Sequence, residues 1–190
     1  MVGAMNRSLS VVALFLVLGL GACGTPPGRE PPSPVAALDL ARYAGRWFEL
    51  AKYPNRFQAQ CIGDTTAEYE LLPDGAVKVT NRCRVAGGEI DQAIGRAERV
   101  EDGSVARLKV RFAPDWLSWV PLVWGDYWVI DLDPAYSLAA VSDPDRRYLW
   151  ILSRTPSVDE GRYRALLTRL QQAGFETSRL ESTRQNSTER

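Results

Sequence analysis

The feature that most constrains the fold is a repeated alternation of strand-like segments and turn signals between residues 47 and 155. Each segment is short, rich in β-branched and aromatic residues, and followed by turn residues such as Pro73-Asp74-Gly75. Eight such segments can be distinguished: 47–53, 65–72, 76–85, 91–100, 105–112, 126–133, 137–143 and 148–155. The pattern predicts an all-β fold with eight antiparallel strands in up-and-down order.

After the last of these segments the apolar residues change from a spacing of two to a helical spacing, which predicts a single helix over residues 157–174. Apolar side chains recur on one face of it, and Ser157 with Glu160 has the spacing of a capping box. Gly174 is typical of a helix end, and residues 175–180 could add a short ninth strand. We expect a closed eight-stranded barrel with the helix packed outside, because closure leaves no exposed edge and the interior can hold one small ligand.

The N-terminus has the layout of an export signal. Arg7 precedes the apolar run 11–20, which is too short to span a bilayer and ends in small residues. Leu20-Gly21-Ala22-Cys23 resembles the bacterial lipobox, which implies a signal peptide over 1–22 and an acylated Cys23. The alternative is an ordinary signal that contains an incidental cysteine.

Residues 23–35 are expected to comprise the acylated Cys23 and a proline-rich tether. By the lipobox resemblance, Gly24 favours the outer membrane, with the lipid-anchored chain facing the periplasm. The folded part is expected over 36–180. The polar segment 181–190 contains no apolar residue, so it is predicted to be disordered.

Composition excludes several function classes. The chain has no histidine, which removes histidine-activated nucleophiles and histidine-ligated metals, so we expect no catalytic residue, metal or cofactor. Its 23 basic residues balance its 23 acidic ones, which gives no indication of nucleic acid. Cys61 and Cys83 form an even pair in an exported chain, and a disulfide is favoured over free thiols. The midpoint between them lies about three residues before the centre of the intervening turn, so the pairing needs a bulge or a longer turn.

Three sequence regions together resemble the lipocalins, in particular the bacterial outer-membrane lipocalins related to apolipoprotein D. The first is Gly45-Arg46-Trp47 at the entry to the first strand, the second is the stretch 125–145, and the third is Arg154 at the end of the eighth strand. The resemblance covers about residues 36–180. It implies a barrel that carries hydrophobic molecules such as fatty acids or lysophospholipids, with a role in membrane maintenance.

In an up-and-down barrel, Trp47 and Arg154 arrive at the same closed end. A guanidinium over the indole would form a cation–π contact worth about 0.5–2 kcal/mol, and both residues, with Gly45, are therefore assigned a structural role. The same reasoning places the loop between the fifth and sixth strands at the open mouth. This tryptophan-rich loop could admit a ligand, dock on a membrane, form a homodimer interface, or fold over and fill the top of the barrel.

The candidate ligand-binding residues lie at the mouth or at inward positions of the strands. On the fifth strand the apolar residues are expected to face inward, because the charged residues that alternate with them suit the solvent face. Arg96 is included as a group that could hold a polar head. The full set is Phe57, Tyr69, Arg96, Phe112, Trp116, Trp119, Trp124, Trp128, Tyr148 and Trp150.

These features favour a membrane-anchored lipoprotein, not an enzyme, whose partners are a small hydrophobic ligand and the membrane. One alternative is a structural or partner-binding lipoprotein with a self-filled barrel. A lipocalin-fold enzyme is a weaker alternative, because the residual carboxylates Glu49 and Asp131 are interpreted as ordinary strand and turn residues.

Overall fold

Residues 30–100 and 105–186 are described by a computed structural model of the chain. The predicted signal peptide (1–22), Cys23 and the tether up to residue 29 lie outside the described residues. From Pro31 onward the chain forms one compact unit.

The described residues of this unit form nine strands and two α-helices. The strands are β1 (Gly45–Lys52), β2 (Cys61–Leu71), β3 (Val77–Val85), β4 (Ile90–Arg99), β5 (Arg107–Arg111), β6 (Trp124–Leu132), β7 (Leu138–Ser142), β8 (Leu149–Ser153) and β9 (Glu181–Ser182), and the helices are α1 (Leu40–Tyr43) and α2 (Glu160–Gln172). Single 3-10 turns occupy Arg56–Gln58, Asp115–Leu117, Pro121–Val123 and Thr177–Arg179.

The first eight strands close into a barrel. Each pairs antiparallel with the next one along the chain, and β1 pairs with both β2 and β8. The links β2–β3 and β6–β7, the end of β4 and the start of β5 therefore lie at the closed end with the start of β1. The links β1–β2, β3–β4, β5–β6 and β7–β8 form the mouth. The predicted eight-stranded up-and-down barrel with an external C-terminal helix is confirmed.

Helix α2 packs against the outside of the barrel. Its Leu166 and Leu170 are buried in a cluster with Leu149 and Ile151 of β8, and Arg169 forms a double ion pair with Asp131 at 2.7 and 2.8 Å. The side chain that caps the N-terminus of α2 is Asp159, which accepts from the amide of Arg162 at 2.9 Å. The predicted capping role of Ser157 is therefore wrong, because the helix begins at Glu160.

The C-terminal segment is ordered further than its composition predicts. Residues Glu181–Ser182 form β9 beside the mouth end of β1. Beyond it, Gln185 donates to the backbone carbonyls of Glu49 at 2.7 Å and Thr65 at 2.9 Å, so the segment bridges β1 and β2. The prediction of disorder is wrong for residues 181–186, and residues 187–190 lie outside the described part. The ninth strand also comes later than the predicted segment 175–180.

No helix within residues 30–100 and 105–186 has both the length and the apolar character needed to cross a membrane.

Candidate functional site

A cavity of about 100 Å³ occupies the mouth half of the barrel. Its walls are mainly apolar, with a few polar groups, and most strands contribute to them. The lining residues are Glu49, Gln58, Thr65, Thr66, Ala67, Tyr69, Asn81, Val110, Phe112, Tyr127, Val141, Trp150 and Leu152. Phe112 is partly exposed, so the cavity reaches the surface at the mouth. Such a concave, mostly apolar site with a few polar groups is typical of a small-molecule pocket.

Strand pairing determines which side chains reach this cavity. Ala97 of β4 lies opposite Val110 of β5, and Leu108 lies opposite Tyr127 of β6. Since directly opposed residues share a face of the sheet, the apolar set of β5 points inward and its charged set points outward. Trp150 and Leu152 lie opposite Val141 and Ala139 in the same way.

Three tyrosines form a layer beneath the cavity. The Tyr127 hydroxyl lies 3.0 Å from that of Tyr43 and 2.7 Å from that of Tyr69. Burial raises the pKa of all three hydroxyls, that of Tyr69 to about 12, so these groups stay neutral donors and acceptors. A smaller void of about 20 Å³ lies on the other side of this layer, with Leu40 and Val77 in its wall. The tyrosines thus set the depth to which a guest can enter without side-chain movement.

The closed end is sealed by Trp47 and Arg154. Trp47 is fully buried and its indole nitrogen donates to the Tyr43 carbonyl at 2.8 Å. The Arg154 guanidinium carbon lies 4.0 Å from the indole centre. The same guanidinium donates to the carbonyls of Arg42, Ala44 and Arg46 at 2.8 Å, Tyr43 at 3.1 Å and Tyr136 at 3.2 Å. It therefore ties the start of β1 to the end of β8.

Gly45 is required at this junction for a conformational reason. Its φ is +92°, a left-handed value that disfavours side chains, and an added Cβ would stand 3.3 Å from Arg154 Nη1.

One buried carboxylate stands in the cavity wall. Glu49 is 2% exposed, and its Oε2 accepts from Gln58 at 2.6 Å while its Oε1 accepts from the Thr183 hydroxyl at 2.5 Å. Gln58 in turn accepts from the Trp150 indole at 2.8 Å. Burial raises the pKa of the Glu49 carboxyl, because its removal from water disfavours the charged form.

An aromatic cluster borders the mouth beside this carboxylate. Tyr148 stacks on Trp150 with 5.6 Å between ring centres, and Phe57 lies 5.5 Å from Tyr148. Phe57 and Tyr148 thus belong to the rim, whereas Tyr69, Phe112 and Trp150 line the cavity itself.

The predicted disulfide between Cys61 and Cys83 is present. It joins β2 and β3 at the mouth, and two register shifts between Cys61 and Thr66 provide the bulges that the pairing needs.

The tryptophan-rich loop turns away from the cavity. Trp116, Trp119 and Leu122 are 72, 77 and 93% exposed. Trp119 and Trp124 border a groove on the outer face of the barrel with Glu98 and Lys109, and the Trp124 indole donates to the Ser118 carbonyl at 2.7 Å. The loop therefore does not fill the top of the barrel, and none of its tryptophans is among the residues that line the cavity.

Two further candidates lie on the outer face because of strand phase. Tyr127 and Val129 point inward, so Trp128 between them faces out, where the Arg107 guanidinium carbon lies 4.3 Å from its ring. Ala97 points inward, so Arg96 faces out and pairs with Asp74 and Glu98, each at 2.7 Å. The assignment of Trp128 and Arg96 to the ligand site is therefore corrected.

Several cavity residues were not predicted as site residues. Glu49 was interpreted as an ordinary strand residue, although it stands two positions after the inward Trp47 and so shares its face. Gln58 and Thr65 could not be found from alternation, because Gln58 lies in a 3-10 turn and Thr65 lies at a bulge.

The comparisons with known proteins agree with this architecture. A family model described as a lipocalin-like domain matches residues 38–185. Temperature-induced lipocalin-1 of Arabidopsis thaliana is 41% identical over 81% of this chain and 83% of its own. Outer membrane lipoprotein Blc of Citrobacter freundii is 37% identical over 90% of this chain and 91% of its own.

Among solved structures, insecticyanin of the tobacco hornworm Manduca sexta shares the fold. It superposes with a TM-score of 0.65 at 22% identity, over 85% of this chain and 88% of its own. Together with the matched family model, the sealed floor and the up-and-down barrel, these relatives show that the chain belongs to the lipocalin family.

Proposed function

We propose that this chain is a membrane-anchored lipoprotein that binds a hydrophobic ligand in the mouth cavity of its barrel. The observation that carries the proposal is the cavity itself, which is mostly apolar, reaches the surface at one end and is separated from the floor by the tyrosine layer. Each methylene that leaves water for such a site gains about 0.8 kcal/mol. Binding of this kind needs no catalytic step.

The cavity volume limits how much of a ligand is enclosed. A void of about 150 Å³ holds a benzene molecule, so 100 Å³ accepts only part of a long chain. The remainder would lie along the rim aromatics Phe57 and Tyr148, or enter after rotation of Tyr69 and Tyr127. Fatty acids and lysophospholipids are the ligands that the family resemblance implies, in a role in membrane maintenance.

The anchor is supported by sequence and by a relative. Cys23 follows a lipobox-like motif, and the Citrobacter freundii relative is named as an outer membrane lipoprotein. We therefore place this chain at the outer membrane, held by acyl groups on Cys23 and facing the periplasm. The mass of the N-terminal peptide of the mature protein tests this assignment, because an acylated Cys23 would start that peptide.

The exposed tryptophan loop supports contact with a second surface. Tryptophan favours the membrane–water interface, and an acylated Cys23 would keep the barrel beside one. We assign Trp116, Trp119 and Leu122 to docking on that interface, with a homodimer contact as the alternative.

A self-filled barrel is the second candidate function, and the modest cavity volume favours it. In that case the protein would act through its surface, with the interior serving stability alone. The two functions differ in one measurable property, which is saturable binding of a hydrocarbon chain inside the barrel.

We predict that Ala67→Phe lowers the affinity for a hydrophobic ligand at least about tenfold, since loss of contact with two methylenes costs about 1.6 kcal/mol. Ala67 is buried in the cavity wall, so a phenyl ring there takes up ligand space. The measurement is the change in tryptophan fluorescence when the delipidated protein is titrated with a long-chain lysophospholipid or fatty acid.

Ile94→Phe is the matched control, because Ile94 is exposed and neighbours the inward Gly95 on β4. It adds bulk outside the barrel and should leave the affinity unchanged. Val110→Phe, in another wall of the same cavity, repeats the test if Ala67→Phe fails to fold. Equal affinities for all variants, or no saturable binding by the wild-type protein, would favour the self-filled barrel.

A further inference from the structure

Glu49 occupies an unusual position for a hydrocarbon-binding site. It is the one acidic residue among those that line the cavity, and no lysine or arginine lines it within the described part of the chain. Lys52 on the same strand is engaged at 3.1 Å with Glu181 on the outside. The electrostatic character of the cavity is therefore set by a carboxylate and by neutral groups.

The hydrogen-bond donors around Glu49 leave part of the accepting capacity of its carboxylate unused. A carboxylate can accept about four hydrogen bonds, and the described residues supply the two from Gln58 and Thr183. Both donors are neutral. Lys52 acts on the Glu49 charge only through its electric field, because its ammonium is paired with Glu181. A further donor from a ligand would stabilise it.

A second polar group beside Glu49 points to the same chemistry. Thr65 is buried, lines the cavity, and its hydroxyl has no hydrogen-bond partner among the described residues. A buried hydroxyl without a partner costs free energy that a ligand hydrogen bond can recover. Glu49 and Thr65 lie on β1 and β2, the two strands that the C-terminal segment bridges.

We propose that this site selects amphiphiles whose polar group donates hydrogen bonds and carries no negative charge, namely a primary amine or an alcohol, with Glu49 as the acceptor. The inference rests on the proposed ligand-binding function. It replaces the ligand class that the family resemblance implies, because fatty acids and lysophospholipids both carry a negatively charged group. A free fatty acid is disfavoured, because its carboxylate would stand near a second carboxylate in a medium of low dielectric constant. Carboxylate recognition elsewhere uses arginine or lysine, which the described cavity wall lacks.

The test compares decylamine, 1-decanol and decanoate, which share a chain length and differ in the head group. Each is titrated below its micelle concentration into the delipidated protein at pH 8, by calorimetry. We expect the amine and the alcohol to bind at least about tenfold more tightly than decanoate, since like charges in a binding site cost several kcal/mol. In Glu49→Gln, the amine should weaken, decanoate should strengthen, and the difference should largely disappear.

Glu68→Gln is the matched control. Glu68 lies on the outer face of β2 with Arg82 at 2.8 Å, so this variant removes the same charge outside the cavity and should keep the wild-type order of affinities. Equal or tighter decanoate binding by the wild-type protein would overturn the proposal whether or not Glu49→Gln folds. A parallel change of all three affinities in Glu49→Gln would also overturn it. Failure of the wild-type protein to bind any of the three would contradict the ligand-binding function itself.

Discussion

Replacing Trp47 with alanine is expected to lower the free energy of unfolding by about 3–5 kcal/mol, which is the usual cost of removing a buried tryptophan side chain. Trp47 is fully buried at the closed end, and the substitution also deletes its hydrogen bond to Tyr43. The Arg154 guanidinium would lose the ring that lies 4.0 Å beneath it. The change is measured by denaturant unfolding, monitored by far-ultraviolet circular dichroism. Fluorescence is not used, because loss of the indole itself alters the fluorescence signal.

Trp119→Ala is the control for this substitution. The Trp119 side chain is largely exposed, so its removal should change the stability by no more than about 0.5 kcal/mol. Similar stabilities for Trp47→Ala and Trp119→Ala would contradict the view that Trp47 and Arg154 together close the barrel floor.

The double substitution Cys61→Ala/Cys83→Ala is expected to destabilise the folded chain by about 2–4 kcal/mol. The disulfide joins residues 22 positions apart and holds β2 to β3 where bulges interrupt their pairing. Without it, the unfolded chain gains conformational freedom and the mouth ends of these strands lose a fixed connection. The change is measured as a shift of the denaturation midpoint, in a form that lacks Cys23 so that no third thiol can mispair.

Reduction of the wild-type protein provides an independent comparison. It should lower the midpoint by nearly as much as the double substitution, whereas a reductant should leave the substituted protein unchanged. Equal midpoints for oxidised and reduced wild-type protein would show that strand pairing alone holds this part of the barrel.

The architecture was predictable because it follows from local patterns. Eight segments of strand-forming residues, each followed by turn residues, leave few arrangements other than an up-and-down barrel. The direction of each strand then determines which loops lie at the mouth. That reasoning placed Trp47 and Arg154 at one end and the tryptophan-rich loop at the other.

The phase of individual strands was harder to predict. In β6 each face carries aromatic and aliphatic residues as well as one aspartate, so a period of two does not show whether Tyr127 or Trp128 points inward. The pairing of Leu108 with Tyr127 decides it, and that pairing depends on register between strands. The assignment of Trp128 to the cavity was wrong for this reason.

Long-range polar contacts account for the misassigned C-terminal segment. Its polar composition suggested disorder, yet Gln185 and Thr183 bind groups of Glu49 more than 130 positions earlier in the chain. The backbone carbonyls of Glu49 and Thr65 accept from Gln185, and the Glu49 carboxylate accepts from Thr183. The composition of this segment shows that it buries no apolar side chain. It gives no information about hydrogen-bond acceptors that lie so far away in the sequence.

The central claim is that a hydrophobic chain enters the mouth cavity beside Trp150, and contact quenching by a long-chain alcohol with bromine atoms on its alkyl chain tests it most directly. The account predicts saturable quenching that persists in Trp116→Phe/Trp119→Phe and falls sharply in Trp150→Phe. Quenching that persists in Trp150→Phe and disappears in the double variant would show that the chain binds to the exposed loop, with the barrel interior closed to it.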